Sequence, residues 1–322
     1  MQKIIVVLLG LASFLLVAAV LAVTWAPGVV KKTPIDVNNK TFLSGTAQRL
    51  DAATGKLGEP SKIRITSITQ ADGDKSDDKV VVFKAGSCVV VNEDGDAPDC
   101  VDGKDPRLVS ADETTFATDR VTALAVDNGD YLPKGSPQFE GLVNKWPFDA
   151  EKKTYPYWDG TLGAAVDAVY DGTERVEGID TYRYKININE APIEVAEGVD
   201  GTYTNEVVIW VEPKTGAIQN QSQDQQRYLE DGTQVLNLQA EFTPEQIKQS
   251  AEDTKDSKAL LTLLTIVPWV GFIAGGLCLI AVLALILIRR SQPSSHVDGT
   301  REKGPAESDP AFTTGDTTTI AR

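Results

Sequence analysis

Histidine is nearly missing from this chain. His296 is the single histidine among 322 residues, and it follows the last long apolar run. Ser-His-Asp and Cys-His catalysis need an imidazole base, so neither is available to the preceding segment. Histidine-ligated zinc and iron sites are excluded there for the same reason. Cysteine is scarce too, with three residues. Cys278 lies inside an apolar run. Cys88 and Cys100 bracket an acidic turn, "CVVVNEDGDAPDC". In an extracytoplasmic segment such a pair reads as a disulfide, closing a loop whose constraint is worth about 3 kcal/mol. There is no phosphate loop, no G-x-G-x-x-G after a strand and no G-x-S-x-G elbow, so we expect a non-enzymatic protein without a cofactor. Carboxylates are so numerous that chance pairs carry no glycosidase signal. Asn92, Asp94 and Asp96 imitate an EF-hand start, but Ala97 replaces its glycine and Gly103 its closing glutamate; no metal is expected.

Long apolar runs are what the chain does have. Residues 4–26 carry no charge, and a second run, 259–288, ends at Arg289 and Arg290. About 20 apolar residues span a bilayer, and a signal-peptide core is shorter, so both are expected to be transmembrane helices. Trp269 suits an interfacial belt, Pro268 suggests a kink beside it, and Gly271 with Gly275 allows close helix packing. The basic residues after the second run set a plasma-membrane, two-pass topology with both termini cytoplasmic. The expected organisation is therefore a cytoplasmic stub (1–3), a first span (4–26), an extracytoplasmic domain (27–258), a second span (259–288) and a disordered tail (289–322).

The segment 27–258 carries 25 Lys+Arg against 41 Asp+Glu, a net −16, which argues against nucleic acid as a partner. "KIRITSIT", "KVVVFKAGSCVVV", "RVTALAV", "AAVDAVYDGTERV", "TYRYKINI", "EVVIWVEP" and "QVLNLQAEF" suit strands, separated by Gly and Asp turn signals. We expect a mainly β (α+β) domain: an antiparallel curved sheet or partial barrel flanked by two membrane helices. A juxtamembrane helix begins at "FTPEQI": Thr243 is its N-cap, Pro244 its first residue, Gln246 completes a capping box, and Phe242 and Ile247 form the staple. No breaker follows, so it can run into the second span.

Only 7% of residues are aromatic, yet "KWPFDAEKKTYPYWD" holds five aromatic residues. Trp146, Phe148, Tyr155, Tyr157 and Trp158, with Tyr182, Tyr184 and Trp210 on later strands, are the candidate ligand-binding residues. The competing reading is an irregular core plug, because Pro147 and Pro156 break regular structure. Tyr155 and Tyr157 should share one face, with Trp158 opposite. On the later strands Tyr182 and Tyr184 are expected on one apolar face with Val208 and Trp210.

At the level of local pattern, "GTERVEG" before a hairpin resembles the repeat of bacterial lipid-carrier half-barrels of the LolA type. Over most of the chain, "FATDRVTALAVD", the block from Lys145 to Lys185 and "VPWVGFIAGG" resemble the DUF3068 group of actinobacterial membrane proteins, also called the porin PorA family. That resemblance implies an N-terminal anchor, an external domain and a C-terminal span, and no catalytic residue. The expected partners are the lipid bilayer and an envelope lipid or apolar ligand handled by the anchored domain. The alternative is an accessory subunit or sensor of a membrane protein complex. A channel ranks below both, since neither span carries a charge to mark an ion path.

Overall fold

In this computed structural model, residues 2–291 are described; the expectation of a disordered tail falls largely on residues outside that range. The first apolar run is one helix, α1 (Gln2–Thr24), followed after Trp25 by a short turn of helix, α2 (Ala26–Val30). Strands then dominate: β1 (Asn38–Asp51), β2 (Lys56–Leu57), β3 (Ser61–Ala71), β4 (Val80–Val91) and β5 (Leu108–Asp119). A long connection leads to β6 (Tyr155–Asp159), β7 (Ala164–Val176), β8 (Ile179–Ala196), β9 (Val199–Val211), β10 (Ile218–Leu229) and β11 (Gln234–Phe242). The chain leaves the sheet through α3 (Pro244–Ser291).

All main strands join one curled antiparallel sheet in the order β5-β4-β3-β1-β11-β10-β9-β8-β7-β6, with β2 paired to β1. Nearly every neighbour is a sequence neighbour, as short turns dictate. Besides β3 against β1, where only the two-residue β2 intervenes, the exception is β1 against β11, which welds the first and last strands (Leu43 opposite Phe242, Ala47 opposite Leu238). The expected antiparallel partial barrel is therefore present. The two sheet edges meet through isolated bridges rather than a strand: Thr118 to Ala125, Leu124 to Leu142, and Leu142 to Tyr157. "RVTALAV" thus forms no regular strand, because Ala123 turns through a positive φ of 60° and the segment serves as a clasp. A file of rings seals this seam: Trp158, Phe139, Phe116 and Phe83, with successive centroids 4.6, 5.3 and 5.4 Å apart.

Alternation along each strand sends one set of residues inward. Leu43 and Ala47, Ile63 and Ile65, Val89, and Leu238, Ala240 and Phe242 form one buried cluster. Tyr184, Ile186 and Ile188 with Tyr203, Val207 and Ile209 form another. The Cys88–Cys100 disulfide is present, with Cα atoms 5.6 Å apart. It folds the acidic loop onto the other side of β4, where Cys88, Val90 and Ala97 are buried together. Asp99 pins the loop to Lys40 (2.6 Å) and Arg64 (3.2 Å).

Helix α3 is unbroken for 48 residues, with Pro268 inside it. Its start follows the sequence signals. Thr243 Oγ1 accepts from the Gln246 N–H at 3.1 Å, and Ile247 packs against the cluster that holds Phe242. The return bond of the capping box goes elsewhere: Gln246 Oε1 accepts from the Phe42 N–H of β1 at 3.2 Å, tying the helix to the sheet. The apolar parts of α1 and α3 pack antiparallel. A Cβ placed on Gly271 would meet Ala19 Cβ at 2.9 Å, and one on Gly275 would meet Leu16 Cγ at 2.9 Å. Ala12 and Ala19 are buried in this contact, whereas Phe14 and Trp269 are each 69% exposed.

Candidate functional site

The aromatic stretch folds as a plug. Its backbone hydrogen-bonds to the β9–β10 turn: Trp146 N–H to Gly216 O (3.0 Å), Asp149 N–H to Lys214 O (3.2 Å) and Ala150 N–H to Pro213 O (2.7 Å). Gly216 has φ +72°, and a Cβ there would lie 2.0 Å from the Trp146 carbonyl oxygen, so only glycine lets the two segments meet. The Trp146 ring is thereby driven into the barrel and is fully buried. It stacks on Tyr157 with centroids 5.4 Å apart and lies 5.1 Å from Tyr184. Tyr155 meets Tyr184 edge-on at 5.8 Å, and Tyr170 meets both Tyr182 (5.6 Å) and Tyr184 (6.0 Å). Two polar tips are satisfied by Glu151, as Tyr184 OH donates to Glu151 O (2.7 Å) and Tyr155 OH accepts from the Glu151 N–H (2.9 Å), whereas the buried Trp146 Nε1 finds no protein acceptor. Burial pushes the Tyr157 hydroxyl up to about 12, and raises Tyr184 further still.

Five of the eight candidate residues, Trp146, Tyr155, Tyr157, Tyr182 and Tyr184, meet in this cluster. Trp158 takes the opposite face as expected and joins the ring file at the seam. Phe148 stays outside, with the Lys145 ammonium 4.0 Å above its ring. Trp210 departs from expectation. Its cross-strand partner is Arg183, so it faces away from Tyr184, and its indole N–H donates to Glu174 at 2.9 Å. The inward residues of β9 are the odd-numbered ones, Tyr203 to Val211; the Val-Val-Ile-Trp run has apolar residues on both faces and concealed the phase. Two open grooves, of about 280 and 450 Å³, lie elsewhere. The first is lined by Gln70, Asp72 and Lys84, and the second by Ser44, Thr46, Glu206, Ser222, Asp224 and Glu241.

The plug sits against the junction with α3. Glu212, fully buried, accepts from Thr215 N–H and Oγ1 (both 2.8 Å) and pairs with Lys258 of α3 at 3.2 Å. Gln219 donates to Thr254 Oγ1 at 2.7 Å, and Lys214 to Thr262 Oγ1 at 3.4 Å. On the other side Lys31 pairs with Asp149, and Arg120 Nε donates to Thr33 O (2.7 Å). Lys145 Nζ donates to Thr33 Oγ1 (3.3 Å), and burial lowers its ammonium to about 8. Sequence reasoning missed Glu212, Lys258 and Lys145. "EPKTG" signals a turn, but nothing local shows that its glutamate will be buried and matched by a lysine 46 positions later.

These elements define a class: a β-barrel-like domain fastened to a pair of helices long and apolar enough to cross a membrane. The model of the family described as Porin PorA matches residues 5–284, and the chain belongs to that family. A curated relative, "Porin PorA" of Corynebacterium amycolatum, is 27% identical over 126 residues, which is 35% of this chain; the match spans 30% of that relative's length. Two solved structures align over much of the chain. "GphF Dehydratase 1" has a TM-score of 0.09 at 11% identity, covering 71% of this chain and 82% of that one. An N-terminal dehydratase from the difficidin assembly line has a TM-score of 0.11 at 8% identity, covering 67% and 82%. Scores so low carry no argument. Family and apolar helices together fit a cell-envelope membrane protein.

Proposed function

We propose that this is a non-enzymatic protein held in the plasma membrane by an α1–α3 hairpin, with both termini cytoplasmic, whose rigid external domain serves as an accessory subunit of a membrane complex. The observation that carries the reading is the junction: one continuous helix runs from the sheet through the apolar stretch, and the pair between buried Glu212 and half-buried Lys258 fastens it to the β9–β10 turn. Motion or load on the domain is then passed to the helix instead of being lost in a linker. The antiparallel fit of Gly271 and Gly275 on α1 supports a hairpin whose two ends emerge on one side. Handling of an envelope lipid is the weaker reading, because the rings proposed as a ligand wall pack on one another. Purification from native membranes in mild detergent tests this. A discrete complex with a stoichiometric protein partner is expected. A lone monomer carrying a bound lipid would favour the lipid reading, and a lone monomer with single-channel conductance in planar bilayers would favour the family name.

A further inference from the structure

We propose that the outer face of β9, β10, β11 and β1 is a binding groove for a neutral, hydroxyl-rich oligosaccharide. An open groove of about 450 Å³ crosses these four strands. That volume falls within the range of small-ligand sites, about 300–1,000 Å³. The register sets its side chains in two rows across the strands. One row runs Val208, Ser222, Glu241, Ser44, each opposite the next on the neighbouring strand. The other runs Glu206, Asp224, Gln239, Thr46 by the same pairing. Neighbouring strands are about 4.8 Å apart, so each row spans roughly 14 Å, longer than a single sugar ring.

The unused hydrogen-bonding capacity of the groove selects the ligand. Asp224 Oδ2 accepts from Gln239 Nε2 at 3.0 Å, while its Oδ1 is shielded from solvent and has no partner. An acceptor left unmet in this way is costly, and a ligand hydroxyl would meet it. Glu241 accepts from Asn220 at 2.7 Å through Oε1, and Glu206 pairs with Lys185 at 2.8 Å through Oε2, so each keeps a second oxygen for a ligand. Ser44, Thr46 and Ser222 add hydroxyls that both donate and accept. Acceptors, an amide and hydroxyls in rows match the mixed donor and acceptor character of sugar hydroxyls. A metal ion does not fit, because among the described residues no three carboxylate, thiol or imidazole side chains converge. Nor do the acids make a plain cation trap: Lys185 answers Glu206, and Lys62 stands opposite Thr46 where the second row ends. Two residues beyond Val208 on β9, Trp210 occupies the same face and brings a ring beside the groove for the C–H side of a sugar. The site goes beyond the accessory role and does not rest on it.

The test uses the full chain in a detergent without a sugar head group. It is titrated calorimetrically with linear hexasaccharides of glucose, mannose and galactose, with the three monosaccharides and with spermidine. At least one hexasaccharide should bind saturably, and at least tenfold more tightly than its monosaccharide. Asp224→Ala should weaken that binding at least tenfold. Thr46→Val, on the far strand of the groove, should weaken it at least threefold, and it decides the matter if Asp224→Ala does not fold. No saturable binding of any hexasaccharide overturns the proposal, as does a hexasaccharide bound no better than its monosaccharide. Unchanged binding in a folded groove variant also overturns it. Spermidine bound more tightly than every hexasaccharide overturns it in favour of a cation site.

Discussion

Replacing Lys258 by Met would leave Glu212 as a fully buried carboxylate held only by Thr215. Breaking a buried pair by removing one partner costs about 3–5 kcal/mol. Lys258 is about a third exposed, so water screens the pair and the expected loss drops to about 2–3 kcal/mol. At about 2–4 °C per kcal/mol for a domain of this size, Lys258→Met should melt about 4–12 °C lower. Glu212→Gln keeps an oxygen for Thr215 and removes the charge, at about 1–2 kcal/mol. The double variant should lose little more than Lys258→Met alone, giving a coupling of about 1–2 kcal/mol in the cycle. Unfolding of the full chain in detergent, followed by near-ultraviolet circular dichroism, reads all four proteins. Hydrogen exchange at residues 246–258 should speed up in Lys258→Met before that of the sheet does. Additive losses, or exchange in that helical segment unchanged, would refute the idea that this pair fastens helix to domain.

Three other outcomes follow from named contacts. Gly216→Ala puts a methyl group where the Trp146 carbonyl stands and demands a positive φ, so it should cost more than about 2 kcal/mol and shift the tryptophan emission of the plug to the red. Lys145→Met should raise the melting temperature near pH 7. The folded-state ammonium titrates near 8, below the unfolded value of 10.5, so burial destabilises fully below pH 8 and the penalty fades as pH rises toward 10.5. The gain, about 1–3 kcal/mol by unfolding at pH 7, should therefore vanish near pH 10. Gly275→Leu should separate α1 from α3, since a Cβ at that position would stand only 2.9 Å from Leu16 Cγ of α1. Disulfide trapping between cysteines at 19 and 271, efficient in an otherwise native background, should fall once Gly275→Leu is added.

The strands with clean alternation or a tight turn were legible. "AAVDAVYDGTERV" is β7 end to end, and "QVLNLQAEF" is β11. The start of α3 was legible because Thr243, Pro244 and the Phe242–Ile247 contact are local signals. Some strands were not. In β1, "NNKTFLSGTAQRLD", Gly45 and polar residues interrupt the apolar pattern because β11 approaches closely there, β5 carries Asp112 and Glu113 at the edge of the sheet, and Pro156 concealed β6, where an edge position tolerates it. The aromatic plug was recognisable as dense rings broken by prolines. Its partners were not, because Gly216, Tyr184 and Glu212 come from strands and turns that meet only in the folded sheet. Trp210 was misassigned because a run of apolar residues has no visible phase.

In the topology proposed above, α1 and α3 form a hairpin that leaves both ends on one side of the membrane and the sheet on the other. Labelling of intact cells with a membrane-impermeant maleimide, using single added cysteines at 3, 104 and 301, tests it most directly. The account predicts rapid labelling at 104 and none at 3 or 301 until the cells are opened. Labelling of 301 in intact cells would contradict it.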